Sequence, residues 1–175
     1  MKDTIVINPS LGTPHIPAQS LGSALWLWMH SPRHARYTVS ELESTLLPAI
    51  DSGQFILVLQ RGKPVFFIAW AFFDVAGEEE YRRFPDRAIN TSAWSCGDRP
   101  WIVDFISPFG NTAELMRMIH REHLPDLVFR RLSRRRNDSL GVVTSVSGPN
   151  VTRAAAELYH QSHPLSDISQ GGQPS

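Results

Sequence analysis

The chain has 175 residues, 17 basic against 17 acidic, with 42% hydrophobic side chains and a single cysteine. This composition fits one globular domain and excludes a fibre or a disordered chain, and a net charge of zero leaves no global field to attract nucleic acid or an anionic membrane. A lone Cys96 rules out an internal disulfide framework and a multi-cysteine zinc site, which fits a reducing cytoplasm.

Residues 1–19 carry Pro9, Pro14 and Pro17 without a sustained period and are expected to form an extended arm. The domain proper is expected over 20–163, with 164–175 as a flexible tail. The amino terminus lacks the charged-then-apolar layout of a signal peptide, so export by that route is not expected. Leu21, Leu25, Trp28 and Met29 recur at helical spacing and Pro32 marks a stop, which predicts a helix over 21–29 and leaves His34 on the loop behind it. Thr38 and Glu41 have capping-box spacing, and Val39, Leu42, Leu46 and Ile50 share one face of a second helix with Pro48 near its end.

Gln54 to Gln60 and Pro64 to Phe73 are rich in β-branched and aromatic residues and, joined through Arg61-Gly62-Lys63, predict a hairpin. The apolar run Val65 to Phe73 is far short of the ~20 residues of a membrane helix and reads as a buried strand, so no membrane span is expected. Residues 74–93 read as a polar excursion in which Asp74 and Glu78-Glu79-Glu80 form an acidic patch. Pro100 to Ser107 predicts a central strand, and Asn111 with Glu114 predicts a capped helix to about Arg121. Val128 to Arg136 reads as a short helix or basic loop, Leu140 to Ser147 as a strand, and Asn150 as the cap of a helix to about Gln161. The mixture predicts a single domain of α/β (α+β) class.

Asp104 stands inside the apolar run Trp101-Ile102-Val103-Asp104-Phe105-Ile106, where an unpaired carboxylate costs several kcal/mol, so it must be paired, protonated or facing a cleft. Its partner is either a residue of the segment Trp26 to His34 or a nearby cation such as Arg99. Ser31 either orients His34 or terminates the helix before Pro32. Cys96 reads as a small packing residue, Asp98 and Arg99 as a structural turn and ion pair, and His30, His120 and His123 form no metal-binding constellation. Seven arginines (Arg117, Arg121, Arg130, Arg131, Arg134, Arg135 and Arg136) stand against Glu122 and Asp126 in the basic stretch, either as a solvated face or as a docking surface. Nucleic acid is not expected there, since few aromatics interleave the charges.

Trp26-Leu27-Trp28, Ser31-Pro32 with His34, Leu47-Pro48-Ala49-Ile50, Cys96-Gly97-Asp98-Arg99 and Trp101-Ile102 through Asp104, Ile106 and Pro108-Phe109 together resemble the RTX toxin-activating lysine acyltransferases. The resemblance spans roughly 21–136 and rests on the order and spacing of the blocks jointly. It implies an acetyltransferase-like (GNAT-type) fold with a mostly antiparallel central sheet flanked by helices. It also implies an acyl carrier protein thioester as donor, with no permanently bound cofactor, and an internal lysine of an RTX-type protoxin as acceptor. His34 would be the base or a transient acyl acceptor, Asp104 would orient it, and Ser31 and Thr45 would support them. Arg121, Arg130, Arg131, Arg134, Arg135 and Arg136 would dock the acidic carrier protein and its phosphopantetheine phosphate. The resemblance leaves a homodimer open and places the reaction in the cytoplasm, before toxin export.

Thr45 stands where the family usually has asparagine, Tyr37 and Phe105 where it has tryptophan, and Ala69 where it has serine. Phe66, Phe72 and Trp101 are candidates either for the wall of an acyl site or for the core. Two rival functions follow from the same fold: a non-catalytic binding module or chaperone for a toxin or carrier, and a coenzyme-A-dependent N-acetyltransferase. Against the latter, Gln60-Arg61-Gly62-Lys63 lacks the second glycine of a pyrophosphate loop of the Arg/Gln-x-x-Gly-x-Gly type.

Overall fold

The computed structural model describes residues 3–85, 87, 89–133 and 141–167. The chain runs through β1 (Thr4–Ile7), α1 (Pro17–Met29), α2 (Val39–Thr45), α3 (Leu47–Ser52), β2 (Phe55–Gln60), β3 (Lys63–Phe73) and α4 (Val75–Arg83). It continues through β4 (Arg99–Ile106), α5 (Thr112–Glu122), β5 (Val128–Ser133), β6 (Val142–Ser147) and α6 (Arg153–Ser162). The strands form one six-stranded sheet in sequence order, antiparallel throughout except for the parallel neighbours β4 and β5, which α5 connects. This is an α+β architecture consistent with the acetyltransferase-like expectation.

Side chains alternate along the β2–β3 hairpin and feed two cores. Phe55, Leu57, Phe67, Ala69, Ala71 and Phe73 pack under Ala24, Leu27 and Trp28 of α1 and Ala49 and Ile50 of α3. Ile56, Val58, Phe66, Ile68 and Trp70 face the opposite way, onto Leu115 and Ile119 of α5 and Phe129. A strand covered on both faces has no polar side, which is why Val65 to Phe73 is continuously apolar. Phe66 and Trp101 are fully buried in opposite cores and Phe72 packs against the α5 side, so these three build the core and do not wall a shared site.

Several expectations need correction. The arm read over 1–19 contains β1, which pairs with β2 from Thr4↔Gln60 to Ile7↔Leu57, and α1 already starts at Pro17. The capping box at Thr38 and Glu41 forms, but the helix it opens breaks at Leu46, where Pro48 enters the first turn of α3. Residues 74–93 include α4, whose first turn is capped by Asp74 Oδ1 accepting from Gly77 N at 2.7 Å. Val128 to Ser133 is strand β5, not helix or loop, and Arg134 to Arg136 lie outside the described residues. Thr152, not Asn150, caps α6. Asn111 precedes α5 in a left-handed conformation with no side-chain cap. Of the tail read over 164–175, residues 168–175 lie outside the described ones.

The acidic patch is corrected most sharply. Glu78 is 1% exposed and holds Arg99 at 2.7 Å, Arg130, and the Trp101 indole N–H at 2.8 Å. Arg99 Nη1 also donates to Pro164 O at 3.0 Å and Arg130 Nη2 to His163 O, so the cluster ties α4, β4 and β5 to the segment after α6. Burying charges is tolerated because each guanidinium has an anionic partner and a carbonyl acceptor. Glu78→Ala leaves two buried arginines unpaired, and we expect it to lower unfolding free energy by about 3–5 kcal/mol. Glu80→Ala, on an exposed position of the same helix, should change it by no more than about 0.5 kcal/mol, as urea denaturation of the pair will measure.

Candidate active site

Asp104 owes its direction to an irregularity in the sheet. Along β4, Trp101 pairs with Ala71 and Ile102 with Trp70, but Asp104, not Val103, pairs with Ala69. Val103 is the extra residue of a bulge, and strict alternation would have turned Asp104 toward α5. With the bulge, Asp104 shares the face of Ala69 and points beneath α1.

There it meets His34 on the 3-10 turn His34–Arg36 that follows α1. His34 Nε2 lies 2.9 Å from Asp104 Oδ1, and the residues are 3% and 4% exposed. Oδ1 also accepts from Phe105 N at 2.9 Å, and Oδ2 receives a long bond of 3.4 Å from Trp28 Nε1. On the other side of the ring, Ser31 Oγ lies 2.7 Å from His34 Nδ1. A carboxylate only accepts, so Nε2–H donates to Asp104, and Nδ1 keeps a lone pair that takes the Ser31 hydroxyl hydrogen. Trp28 stacks on the His34 ring and Tyr37 meets both edge-on.

Asp104 also borders a cavity of about 170 Å³ whose wall includes Arg33, Tyr37, Thr45, Arg87 and Trp94. Partial desolvation works against the Arg33 charge, but Tyr37, through its charge and a hydrogen bond, and the field of Asp104 outweigh it and hold the pKa above the ordinary arginine value. A larger groove of about 850 Å³ lies at the tip of the β2–β3 hairpin, between Arg61, Lys63, Trp26, His30 and Phe109. An Asp–His–Ser chain of this kind can take a proton at Nδ1 and stabilise the resulting imidazolium through the carboxylate.

Of the residues singled out from the sequence, the structure joins Ser31, His34 and Asp104 in one hydrogen-bonded row and sets Thr45 in the wall of the neighbouring cavity. Arg99 is not the partner of Asp104, since it belongs to Glu78. Arg130 is 1% exposed and cannot dock a partner, whereas Arg121 and Arg131 are exposed, with Arg131 Nε on Thr144 Oγ1 at 3.0 Å. Cys96 is exposed and distant from this row in its bonding: its sulfur accepts from Asp74 N and donates to Ala93 O. Asp98 pairs with His163 at 3.1 Å, a bond that lowers its pKa. Among the described residues, no three His, Cys, Asp or Glu side chains group to hold a metal ion, and no helix is long and apolar enough to cross a membrane. Sequence reasoning gave no role to Trp28 or Arg33, although both lie within the segment it flagged for the partner of Asp104.

Comparison with known proteins places these residues in context. Residues 16–147 match the model of the RTX toxin acyltransferase family. The chain is 37% identical over 158 residues to the protein-lysine palmitoyltransferase CyaC of Bordetella bronchiseptica, covering 87% of this chain and 84% of that protein. It is 32% identical over 145 residues to the RTX-I toxin-activating lysine-acyltransferase ApxIC of Actinobacillus pleuropneumoniae, covering 82% and 83%. Against the protein-lysine myristoyltransferase HlyC of Escherichia coli it is 30% identical over 148 residues, covering 84% and 86%. The match spans both His34 and Asp104.

Proposed function

The chain belongs to the RTX toxin acyltransferase family, and from that premise we propose that it transfers a fatty acyl group from an acyl carrier protein thioester to an internal lysine of an RTX-type protoxin, in the cytoplasm before export. The observation that carries the mechanistic part is the buried row Ser31–His34–Asp104. A lysine ε-ammonium has a pKa of ~10.4 in solution and must shed its proton before attack, while histidine titrates near ~6.5 and is suited to take one near neutrality. The neutral amine attacks the thioester carbonyl carbon, the new C–N bond forms, and the C–S bond breaks. The first ammonium proton leaves to bulk water before attack; the second amine proton passes to His34 Nδ1 and from there to the departing thiolate, so the enzyme ends as it began.

Asp104 fixes the tautomer in which Nδ1 carries the lone pair and offsets the charge of the transient imidazolium. Ser31 covers Nδ1 and is the half-exposed member of the row, so a proton bound for the ring arrives beside its hydroxyl. The base role suits this geometry better than acylation of the imidazole, because an acyl group on either nitrogen would displace Asp104 or Ser31 from a ring that is 3% exposed.

Co-expression with a cognate protoxin and intact-mass measurement tests the reading: the toxin should gain the mass of a fatty acyl group per modified lysine. His34→Ala and Asp104→Asn should each cut single-turnover transfer by about 10²–10⁴-fold with melting curves that stay cooperative. Near wild-type transfer by His34→Ala would end the base assignment. Ser31→Ala, which removes one hydrogen bond to the ring, should lose on the order of tenfold. Cys96→Ser should retain most of the activity, and a thiol reagent that inactivates the wild type should leave this variant untouched, as no other cysteine exists.

A further inference from the structure

The groove at the hairpin tip, not the arginine-rich stretch, has the chemistry of a site for an apolar chain tethered to an anion. At about 850 Å³ it is within the usual range for an organic ligand, whereas the cavity beside Asp104, at about 170 Å³, is too small for one. One wall is aromatic: the rings of Trp26, His30 and Phe109 lie 4.1–5.4 Å from one another, and Phe109 is 48% exposed. The groove also brings the exposed cations Arg61 and Lys63, and among the described residues no carboxylate lines it. Its lining includes His30, the residue directly before Ser31 of the candidate catalytic row.

The backbone supplies a second observation. Arg61 has φ +53° and Gly62 φ +74°, so both central residues of this tight turn are left-handed. Such a turn is best served by asparagine followed by glycine, and a long side chain at its first position is strained. The strain falls on the cation at the lip of the groove, and an unfavourable local choice of this kind points to a task outside the turn itself.

We propose that this groove seats the acylated phosphopantetheine arm of the donor, with Arg61 and Lys63 on its phosphate and Trp26, Val65 and Phe109 along its apolar length. The assignment rests on the carrier-protein reading above. It moves donor recognition from the basic stretch around Arg121 and Arg131 to the hairpin. Because the arm enters beside His30, its thioester is directed toward Ser31, on the Nδ1 side of the ring, where the attacking amine must also arrive.

The test uses the full chain and three forms of the carrier: without the arm, with the free arm, and with the acylated arm. Wild type should bind the two armed forms more tightly than the bare one. Arg61→Asn should melt no lower than wild type, since asparagine suits the turn, yet bind the acylated carrier more weakly. Arg61→Asn combined with Lys63→Gln should lose about tenfold for both armed forms, falling to the affinity of the bare carrier, with KM for the protoxin unchanged. Unchanged affinity for the acylated form overturns the proposal. So does an equal loss for the bare carrier, which would put both cations on the carrier's own surface, or a change confined to KM for the protoxin, which would make the groove an acceptor site. An effect on the armed forms from Arg121→Gln with Arg131→Gln instead would return docking to the basic stretch. Should wild type bind no form of the carrier and accept acyl-coenzyme A equally well, the donor reading fails and the groove assignment falls with it.

Discussion

A carboxylate facing the interior beneath a helix constrains this site more than any other feature. Asp104 is 4% exposed, and its burial would cost several kcal/mol without partners. The requirement is met from three directions: the ring of His34, the backbone N–H of Phe105, and, at longer range, the indole of Trp28. Each of these is positioned by a different part of the fold. The bulge at Val103 turns the carboxylate to the α1 face, the end of α1 delivers the 3-10 turn bearing His34, and the stacked and edge-on rings of Trp28 and Tyr37 hold the imidazole. A histidine fixed at both nitrogens and covered on its faces is preorganised, which is the condition for proton transfer without a reorganisation cost at the moment of reaction.

A second buried carboxylate does structural work at the other end of β4. Glu78 neutralises Arg99 and Arg130 and accepts from Trp101, and the two guanidiniums reach on to carbonyls beyond α6. Both carboxylates therefore bear on one strand, β4, with Glu78 gripping its start and Asp104 projecting from its later half. β4 is also where the sheet changes from antiparallel to parallel, and its described pairing with β5 runs only from Trp101↔Arg130 to Ile102↔Arg131. Past those pairs, the stretch that carries Asp104 is held on the β3 side by its bulged ladder. Rigid anchorage at one end and an irregular ladder at the other let a central strand present a charge without unravelling.

The two openings near the row differ in size and chemistry. A side-chain-sized, polar cavity reaches Asp104 directly, while the wide aromatic and cationic groove includes His30, the residue before Ser31. Arg33, held charged beside Tyr37 and Asp104, keeps the smaller opening from being purely anionic.

Much of the local structure was legible in the residues. The hairpin at Arg61-Gly62, the capping box at Thr38 and the helix ending before Pro32 follow from short-range backbone and side-chain chemistry, and the family resemblance located His34 and Asp104. Physical reading alone required a partner for Asp104 but left open whether it was His34 or Arg99, since contact between residues 70 apart depends on how elements pack. The same limit governed the charges. Glu78 is buried while Glu80 is exposed, and Arg130 is buried while Arg131 is exposed, because neighbours on a helix or strand face different ways and only the packed sheet decides which way is in. β5 was missed for this reason, its arginines suggesting solvent where one of them fills the core. β1 was missed because four residues that pair only with β2 carry too little pattern to announce a strand. The sequence by itself thus determined which segments turn, cap and alternate and that a charge at position 104 had to be answered; the tertiary structure, through one bulge and the faces it assigns, decided what answers it.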